Sequence, residues 1–301
     1  MSVLSIENLS IAFPIGGQSY KAVKNMTLDV NENETLCIVG ESGCGKSITA
    51  LSVLGLQAEV AKVTGKINFG GRNLLELQDN EMEKLRGDQI SMIFQEPMTS
   101  LNPVYTIGRQ LAEPLMYHKG KSEAEALREA KTLLDLVRIP DAAARLKQFP
   151  HQLSGGMRQR VMIAMGLACK PRVLIADEPT TALDVTIQAQ VLNLLISIRK
   201  EQQFSLVLIT HDLGVVANIA DRVAVMYAGE VVETAPTDEL FAAPRHPYTQ
   251  ALFWLACHAR IKRTRSRPFP GMCRQSIKCQ RDAVLRHDAP RRPLNAGLHP
   301  T

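Results

Sequence analysis

The sequence predicts an α/β protein whose core is a mostly parallel sheet. Four short segments, 36–39, 90–94, 173–176 and 205–209, are mostly apolar, as buried strands of such a sheet usually are. The segment 185–203 between the last two has helical periodicity. Strands that alternate with helices indicate parallel strands with helices on both faces of the sheet.

Further strands near both ends of the chain complete the predicted architecture. The segment 3–11 alternates loosely between apolar and polar residues, and we expect an edge strand there. Strands are also expected over 20–30 and over 62–71, which ends in two glycines, so these three predict a small antiparallel sheet beside the core. The segment 222–235 predicts a hairpin that turns at an Ala-Gly pair.

The region from about 97 to 165 is predicted to be an inserted helical subdomain. Ser122 and Glu125 have the spacing of a capping box at the start of a helix. The residues that follow on one face of that helix are apolar and predict its core side: Leu127, Ala130, Leu134 and Val137.

The composition is that of an ordinary soluble protein, with 45% hydrophobic and 22% charged residues in 301. The longest apolar run, 161–169, is far too short to span a bilayer. The first residues lack a basic region followed by an apolar one, so we expect no signal peptide and a cytoplasmic protein. Membrane association would then require a partner.

The positive charge is concentrated at the end of the chain. The segment 258–301 holds 11 lysines and arginines against two aspartates, whereas the remainder holds 24 basic and 28 acidic residues. The isoelectric point of about 8.9 is therefore no argument for a nucleic-acid role of the main domain.

The six cysteines lack a disulfide pattern and are expected to be free thiols: Cys37, Cys44, Cys169, Cys257, Cys273 and Cys279. A metal or iron–sulfur site from the last three is disfavoured, because neither a fourth ligand nor a standard spacing is visible.

One glycine-rich stretch fits the phosphate-binding pattern G-x-x-x-x-G-K-[ST] of ATP- and GTP-hydrolysing proteins. Its residues are Gly40, Glu41, Ser42, Gly43, Cys44, Gly45, Lys46 and Ser47. A predicted strand precedes the stretch and a predicted helix follows it, so backbone N–H groups and the helix N-terminus would face an anion. Lys46 would reach the β- and γ-phosphates, and the Ser47 hydroxyl would bind Mg²⁺.

Two carboxylates end the predicted strand 173–176. Asp177 lies where a parallel strand would deliver an acid beside the metal of a nucleotide site. Glu178 is then the natural general base for an attacking water.

The stretch 153–160 offers a second phosphate-binding surface. Ser154, Gly155 and Gly156 precede a predicted helix, whose exposed N–H groups would suit a phosphate. A single site uses both surfaces only if two chains meet head to tail.

Taken together, these motifs resemble those of ATP-binding cassette (ABC) proteins. The phosphate loop, Gln95, the stretch 153–159, the acids at 177–178, the segment 181–184 and His211 stand in that family's order and spacing. The resemblance covers residues 1–235 and implies the P-loop NTPase fold of ABC ATPases and a dimer that sandwiches two ATP molecules.

The resemblance also implies a role for each matching residue. The catalytic residues would be Glu178, His211 at the γ-phosphate, and Gln95, which senses Mg²⁺ and the attacking water. Nucleotide contacts would come from Tyr20, which stacks on adenine, and from Gly40, Glu41, Ser42, Gly43, Cys44, Gly45, Lys46, Ser47 and Ile48. The partner chain's ATP would be contacted by Ser154, Gly155, Gly156, Gln159 and Asp184. Mg²⁺ would be bound by Ser47, Gln95 and, through water, Asp177.

Finer features resemble the oligopeptide and dipeptide importer branch, which includes nickel-uptake relatives. These features are the segments 94–103, 177–186 and 244–252. We expect an ABC ATP-binding domain at 1–243 and a C-terminal extension at 244–301, family-like to about 257 and then divergent. After about Trp254 the sequence lacks apolar periodicity, so no helix or strand is expected there.

The resemblance implies an ATPase subunit that energises peptide import, with ATP and Mg²⁺ as cofactors. Its partners would be two membrane-spanning permease subunits, a second ABC ATPase subunit and, indirectly, an extracytoplasmic solute-binding protein. We expect it at the cytoplasmic face of the inner membrane and expect no nucleic acid. The alternatives are a nickel importer, a soluble ABC ATPase that acts on nucleic acid or in regulation through its basic tail, and an importer subunit impaired by that tail.

Overall fold

The computed structural model describes residues 1–95, 100–180 and 184–263, with the backbone alone for 185–186 and 256–263. The chain divides into two compact units, Met1–Leu240 and Phe241–Thr301. The predicted boundary near residue 243 stays a prediction.

The strands, in chain order, are β1 Ser2–Ile15, β2 Gln18–Asn31, β3 Thr35–Val39, β4 Lys62–Phe69, β5 Arg72–Asn73, β6 Ile90–Ile93, β7 Val173–Asp177, β8 Ser205–Ile209, β9 Arg222–Tyr227 and β10 Glu230–Pro236. The helices are α1 Lys46–Val53, α2 Asp79–Leu85, α3 Ile107–Lys119, α4 Glu123–Leu136, α5 Ala142–Arg145, α6 Gly155–Leu167, α7 Val185–Gln202, α8 Leu213–Ile219, α9 Thr237–Ala242 and α10 Pro247–Arg263. Within the described residues, no helix is long and apolar enough to cross a membrane.

The core is a six-stranded sheet in the order β10-β9-β3-β8-β7-β6, in which only β10 is antiparallel to its neighbour. Strands β3, β7 and β8 are buried at every residue, as expected of parallel strands covered on both faces. The register pairs Ile209 with both Ile38 and Asp177, so these three strands end at the same edge of the sheet. The predicted mostly parallel core is confirmed.

The smaller sheet is antiparallel, in the order β2-β1-β4-β5, as the sequence predicts. The expectation that the first strand lies at an edge is wrong, because β1 pairs with β2 on one side and with β4 on the other. Leu4, Leu9 and Ile11 on β1 are almost completely buried, which is the burial of an interior strand.

Helices α3, α4 and α6 pack together in the region where a helical subdomain was expected. The capping box at the start of α4 is present, since the Ser122 side chain accepts from the Glu125 N–H and the Glu125 carboxylate accepts from the Ser122 N–H. The buried face of α4 includes Ala130 and Leu134 from the predicted apolar stripe.

In the second unit, α10 contradicts the expectation that regular structure stops near Trp254, since the helix continues to Arg263. The helix begins at Pro247, a favourable residue for a first turn because its missing N–H has no partner there anyway. The Phe241 and Phe253 rings stack with centroids 4.7 Å apart, and this pair is an apolar contact of the unit.

Candidate functional site

The phosphate loop connects β3 to α1 and closes around its own lysine. Lys46 is almost fully buried, and its ammonium donates to the carbonyl oxygens of Gly40 at 2.9 Å and Glu41 at 2.8 Å. The Cys44 Sγ lies 3.6 Å from the same nitrogen. A cation is thus held inside a glycine-rich loop, a type of loop whose backbone N–H groups commonly bind phosphate oxygens.

Glycine is needed in this loop for space as well as for conformation. A Cβ on Gly40 would collide with the Met226 carbonyl oxygen, and one on Gly45, at φ +104°, would lie 2.8 Å from the Ala22 carbonyl oxygen. The loop therefore rests directly on the backbone of neighbouring strands.

Asp177 ends β7 beside the first turn of α1. Burial raises the pKa of its carboxyl, and the charge of Glu178 adds to this, whereas the hydrogen bond from the Ser47 hydroxyl and the charge of Lys46 oppose the shift. Asp177 Oδ1 is buried and has no hydrogen-bond partner among the described residues.

A Mg²⁺ ion fits this pair of side chains. A buried carboxylate oxygen without a partner and an adjacent hydroxyl are hard oxygen donors of the kind that Mg²⁺ prefers. No group of three or more His, Cys, Asp or Glu side chains that could hold a metal occurs in the described part of the chain. Mg²⁺ commonly binds one or two protein oxygens and completes its shell with substrate phosphates and water, so the sparse donor set suits a nucleotide-bound ion.

Glu178 is the centre of a three-residue cluster. Gln95 Nε2 donates to Glu178 Oε2 at 3.2 Å, and His211 Nδ1 lies 3.4 Å from Oε1. The Glu178 backbone has φ +43°, and its N–H donates to the Ile209 carbonyl at 2.9 Å. The three side chains follow the ends of β6, β7 and β8, which are adjacent in the sheet, and the structure brings together all three predicted catalytic residues.

The predicted partner-facing residues lie at two helix starts. Ser154 caps α6, since its Oγ accepts from the Met157 N–H at 3.3 Å. Gly155 and Gly156 form the first turn, and a Cβ on Gly156 would meet the Ile187 side chain at 2.9 Å. Asp184 is exposed at the N-cap of α7, and its side chain makes no capping hydrogen bond to the helix.

Gln159 does not fit its predicted contact with a partner chain. The residue has no exposed surface and shares the interior face of α6 with Met162 and Ile163. Neither polar atom of its side-chain amide has a hydrogen-bond partner among the described residues. A side chain so enclosed cannot touch a molecule outside the chain in this conformation.

Two predicted nucleotide contacts lie at the edges of the loop. Tyr20 on β2 is 52% exposed, and its hydroxyl donates to Gln18 Oε1 at 3.0 Å, which leaves ring surface available. Ile48 in α1 is half-buried against the core. Glu41, Ser42 and Ser47 are exposed, whereas Gly40 and Cys44 are buried. Some predictions concern parts of the chain outside the described residues, namely 96–99, 181–183, Cys273, Cys279 and the Cys257 side chain.

The underside of the phosphate loop is the part of the site that the sequence reasoning missed. The backbone of Met226 lies against Gly40, and the Gly229 N–H donates to the Cys44 carbonyl at 3.2 Å. The Ala-Gly pair predicts the turn of a hairpin, but no local sequence pattern predicts that this turn contacts the phosphate loop, which is distant in sequence.

A strand, a glycine-rich loop closed around its lysine and a helix, set in this mostly parallel sheet, define a protein of the P-loop fold. The family model described as "ABC transporter" matches residues 23–181. The chain belongs to the ABC transporter family, and the resemblance read from its motifs is confirmed.

Curated relatives include peptide-import proteins. The chain is 56% identical over 257 residues to "Glutathione import ATP-binding protein GsiA" of Salmonella paratyphi A, covering 83% of this chain and 41% of that protein. It is 55% identical over 252 residues to "Dipeptide transport ATP-binding protein DppD" of Bacillus subtilis, covering 83% of this chain and 75% of that one. The chain thus spans well under half the length of the glutathione-import relatives.

A solved structure supports the fold. The ATP-binding cassette MJ0796, described as a dimer in a post-hydrolysis state bound to ADP and Pi, superposes with a TM-score of 0.70 at 30% identity. The match covers 78% of this chain and 98% of that one.

Proposed function

We propose that the chain is the ATP-hydrolysing subunit of an ABC importer that energises uptake of oligopeptides or dipeptides across the cytoplasmic membrane. The observation that carries the proposal is the cluster of Gln95, Glu178 and His211 at the sheet edge that also bears the phosphate loop. The similarity to glutathione and dipeptide import proteins supports the substrate class.

The phosphates of ATP would lie in the loop formed by residues 40–47. Lys46 is already held by two loop carbonyls, so little side-chain freedom is lost when its ammonium turns toward the β- and γ-phosphates. Ser47, Gln95 and Asp177, the last through water, would hold Mg²⁺. When bound, this ion supplies positive charge that offsets the charge developing on the transferring phosphoryl group.

Glu178 would take the proton of the attacking water as general base. Gln95 and His211 contact one carboxylate oxygen each and would orient the group. The positive φ of Glu178 is a conformation that surroundings must enforce, and such strain occurs often at sites where geometry serves chemistry.

Two chains would complete each site. The first turn of α6, with Ser154, Gly155 and Gly156, would contact the γ-phosphate of ATP bound to the partner, and Asp184 would approach the partner's phosphate loop. Because the γ-phosphate would be bridged only in the closed dimer, ATP favours closure and ADP does not.

In the cell we propose a peripheral protein at the cytoplasmic face of the inner membrane. Two permease subunits, a second ABC ATPase and, indirectly, an extracytoplasmic solute-binding protein would complete the importer. Nickel is the alternative substrate, since that branch shares the sequence features.

A second candidate is a soluble ABC ATPase that acts on nucleic acid. It is favoured by the excess of basic residues in the segment 258–301. Salt-sensitive DNA or RNA binding that disappears when the segment is deleted would support it.

The test of the proposal is a mild-detergent pull-down of the tagged chain from its native cells, combined with phosphate release by the purified protein. Recovery of two polytopic membrane subunits with a second ATPase, and ATP hydrolysis that requires Glu178, are the expected results. Recovery of soluble proteins alone would contradict the importer role, and absence of hydrolysis by the assembled complex would contradict the ATPase role.

A further inference from the structure

The turn between β9 and β10 is bonded to two parts of the nucleotide site. The Gly229 N–H donates to the Cys44 carbonyl of the phosphate loop at 3.2 Å, and the Gly229 carbonyl accepts from the Lys24 N–H of β2 at 2.8 Å. Strand β2 also carries Tyr20. One residue of the turn therefore links the loop to the strand that presents the aromatic ring.

The packing at this junction leaves no room for a side chain. A Cβ on Gly229 would lie 2.7 Å from the Ala22 carbonyl oxygen, and a Cβ on Gly45 would lie 2.8 Å from the same atom. Cβ atoms essentially never come within 3.0 Å of another heavy atom, and a backbone oxygen cannot swing aside as the end of a long side chain can. The loop, β2 and the turn thus meet at the carbonyl of Ala22.

The loop is also fixed from below, on the side of β9. The Met226 carbonyl lies against Gly40, and the Met226 Cε lies 2.9 Å from the position of a Cβ on Gly45. A side chain added to the turn would push against Ala22 of β2. We expect β2 to move in response, because Tyr20, two residues before Ala22, lies in the exposed part of that strand.

We propose that Gly229 is a positioning residue for nucleotide binding, which sets the distance between Tyr20 and the phosphate loop. This inference rests on the function proposed above, in which the Tyr20 ring stacks on adenine while the loop holds the phosphates. Gly229 touches neither end of the nucleotide and acts through Ala22 and Cys44.

The test is the dissociation constant of ATP for the full chain carrying Gly229→Ala. We expect the constant to rise about tenfold, because binding energy from the ring is lost when it is displaced relative to the loop. The matched control is Gly71→Ala in the β4–β5 turn. Gly71 has φ +79°, close to the +89° of Gly229, but nothing lies within 4 Å of its Cβ position, so the control carries the backbone strain without the crowding.

A double-mutant cycle with Tyr20→Ala separates positioning from general damage. If Gly229 acts through the ring, Gly229→Ala changes the ATP dissociation constant less than about twofold once Tyr20 is absent. Equal effects in both backgrounds, or an effect no larger than that of Gly71→Ala, would overturn the proposal. Unfolding midpoints without nucleotide, measured for every variant, verify that the binding assay samples folded protein.

A second variant covers the case in which Gly229→Ala does not fold. Ala228 already has φ +49°, so Ala228→Gly adds no crowding and relieves strain while it loosens the turn. We expect about a threefold rise in the ATP dissociation constant, again only when Tyr20 is present. No rise beyond that of Gly71→Ala would overturn the inference, whereas failure of the wild-type chain to bind ATP would overturn the proposed function itself.

Discussion

Glu178 combines two features at the scale of a single residue: a left-handed backbone and contacts to both carboxylate oxygens. A glutamate that merely ends a strand in solvent requires neither a left-handed backbone nor a partner for each carboxylate oxygen. The next residue back, Asp177, is enclosed and has one oxygen without a partner in the described part of the chain. Two neighbouring acids thus have different surroundings, as expected when one serves a metal and the other a proton transfer.

Replacing Glu178 by Gln keeps the shape of the side chain and removes the proposed base. We expect hydrolysis to fall by about 10²- to 10⁴-fold while ATP still binds. Uncleaved ATP should then hold two chains together. Phosphate release and size-exclusion chromatography with ATP measure the two effects.

The matched control is Glu201→Gln, at an exposed position on α7, which should hydrolyse ATP like the wild type. A Glu178→Gln variant that stays monomeric with ATP, while the wild type hydrolyses normally, would show that Glu178 is not the base.

Asp177 makes stability depend on pH. Its folded pKa is raised by burial, so the folded state holds the proton more tightly than the unfolded chain does. The resulting contribution is complete below the unfolded pKa and is lost as the pH rises through the folded value. At neutral pH the ionised carboxylate therefore costs stability.

Asp177→Asn should raise the melting temperature of the nucleotide-free protein by roughly 2–4 °C at neutral pH and abolish hydrolysis. The difference from the wild type should shrink as the pH falls through the folded pKa and should be smallest below the unfolded pKa of about 4, where the wild-type carboxyl is neutral in both states. Asp29→Asn, at an exposed position on β2, is the control and should change neither property. A melting temperature for Asp177→Asn that is lower than wild type at neutral pH would refute the assignment.

Several residues of the proposed site are predicted from short local patterns in the sequence. Gly40, Lys46 and Asp177 lie in short motifs whose flanking strand and helix were also predictable. Gln159 shows the limit, because the motif that contains it does not reveal which face of α6 is turned toward the interior. Its burial depends on what packs against that helix.

At the scale of elements, two helices start with the same chemistry in different surroundings. Ser122 caps α4 and Ser154 caps α6, and in each case the side chain accepts from the N–H three residues on, at 3.4 and 3.3 Å. Only Ser154 belongs to the surface proposed to meet a partner's ATP.

Ser122→Ala and Ser154→Ala should each destabilise the folded chain by about 1 kcal/mol, since each loses one cap. Only Ser154→Ala should also weaken ATP-driven dimerisation, measured in the Glu178→Gln background by chromatography. Equal loss of dimer in both variants would mean that helix capping alone explains the effect.

Sequence patterns located most elements but not their neighbours. The sequence pattern predicts strand β1, yet the interior position of this strand depends on its pairing with β4, which lies far along the chain. Helix α10 is not among the predicted elements, because arginine and lysine after Trp254 hide the apolar periodicity although both are good helix formers.

At the scale of the whole molecule, the site exists because strand order differs from chain order. Strand β8 follows β7 in the chain but lies between β3 and β7 in the sheet. The residue after its end, Thr210, leads to His211, which thereby reaches Glu178. The periodicity of apolar residues does not predict this order of the strands in the sheet. From the sequence, only the resemblance to a family could indicate it.

Every described residue of the proposed ATP site lies in the unit Met1–Leu240, and none lies in Phe241–Thr301. Deleting residues 264–301 should therefore leave kcat and KM for ATP unchanged, although it removes most of the basic residues of the tail.

The same variant tests the nucleic-acid candidate, because phosphate contacts give affinity that falls steeply with salt. If the full chain binds DNA at low salt and the shortened chain does not, the tail is a nucleic-acid contact. That result would favour the nucleic-acid candidate over the importer proposal. If neither binds and both hydrolyse ATP equally, the ATPase is independent of the tail. A shortened chain that folds but no longer hydrolyses ATP would show that the second unit contributes to the site.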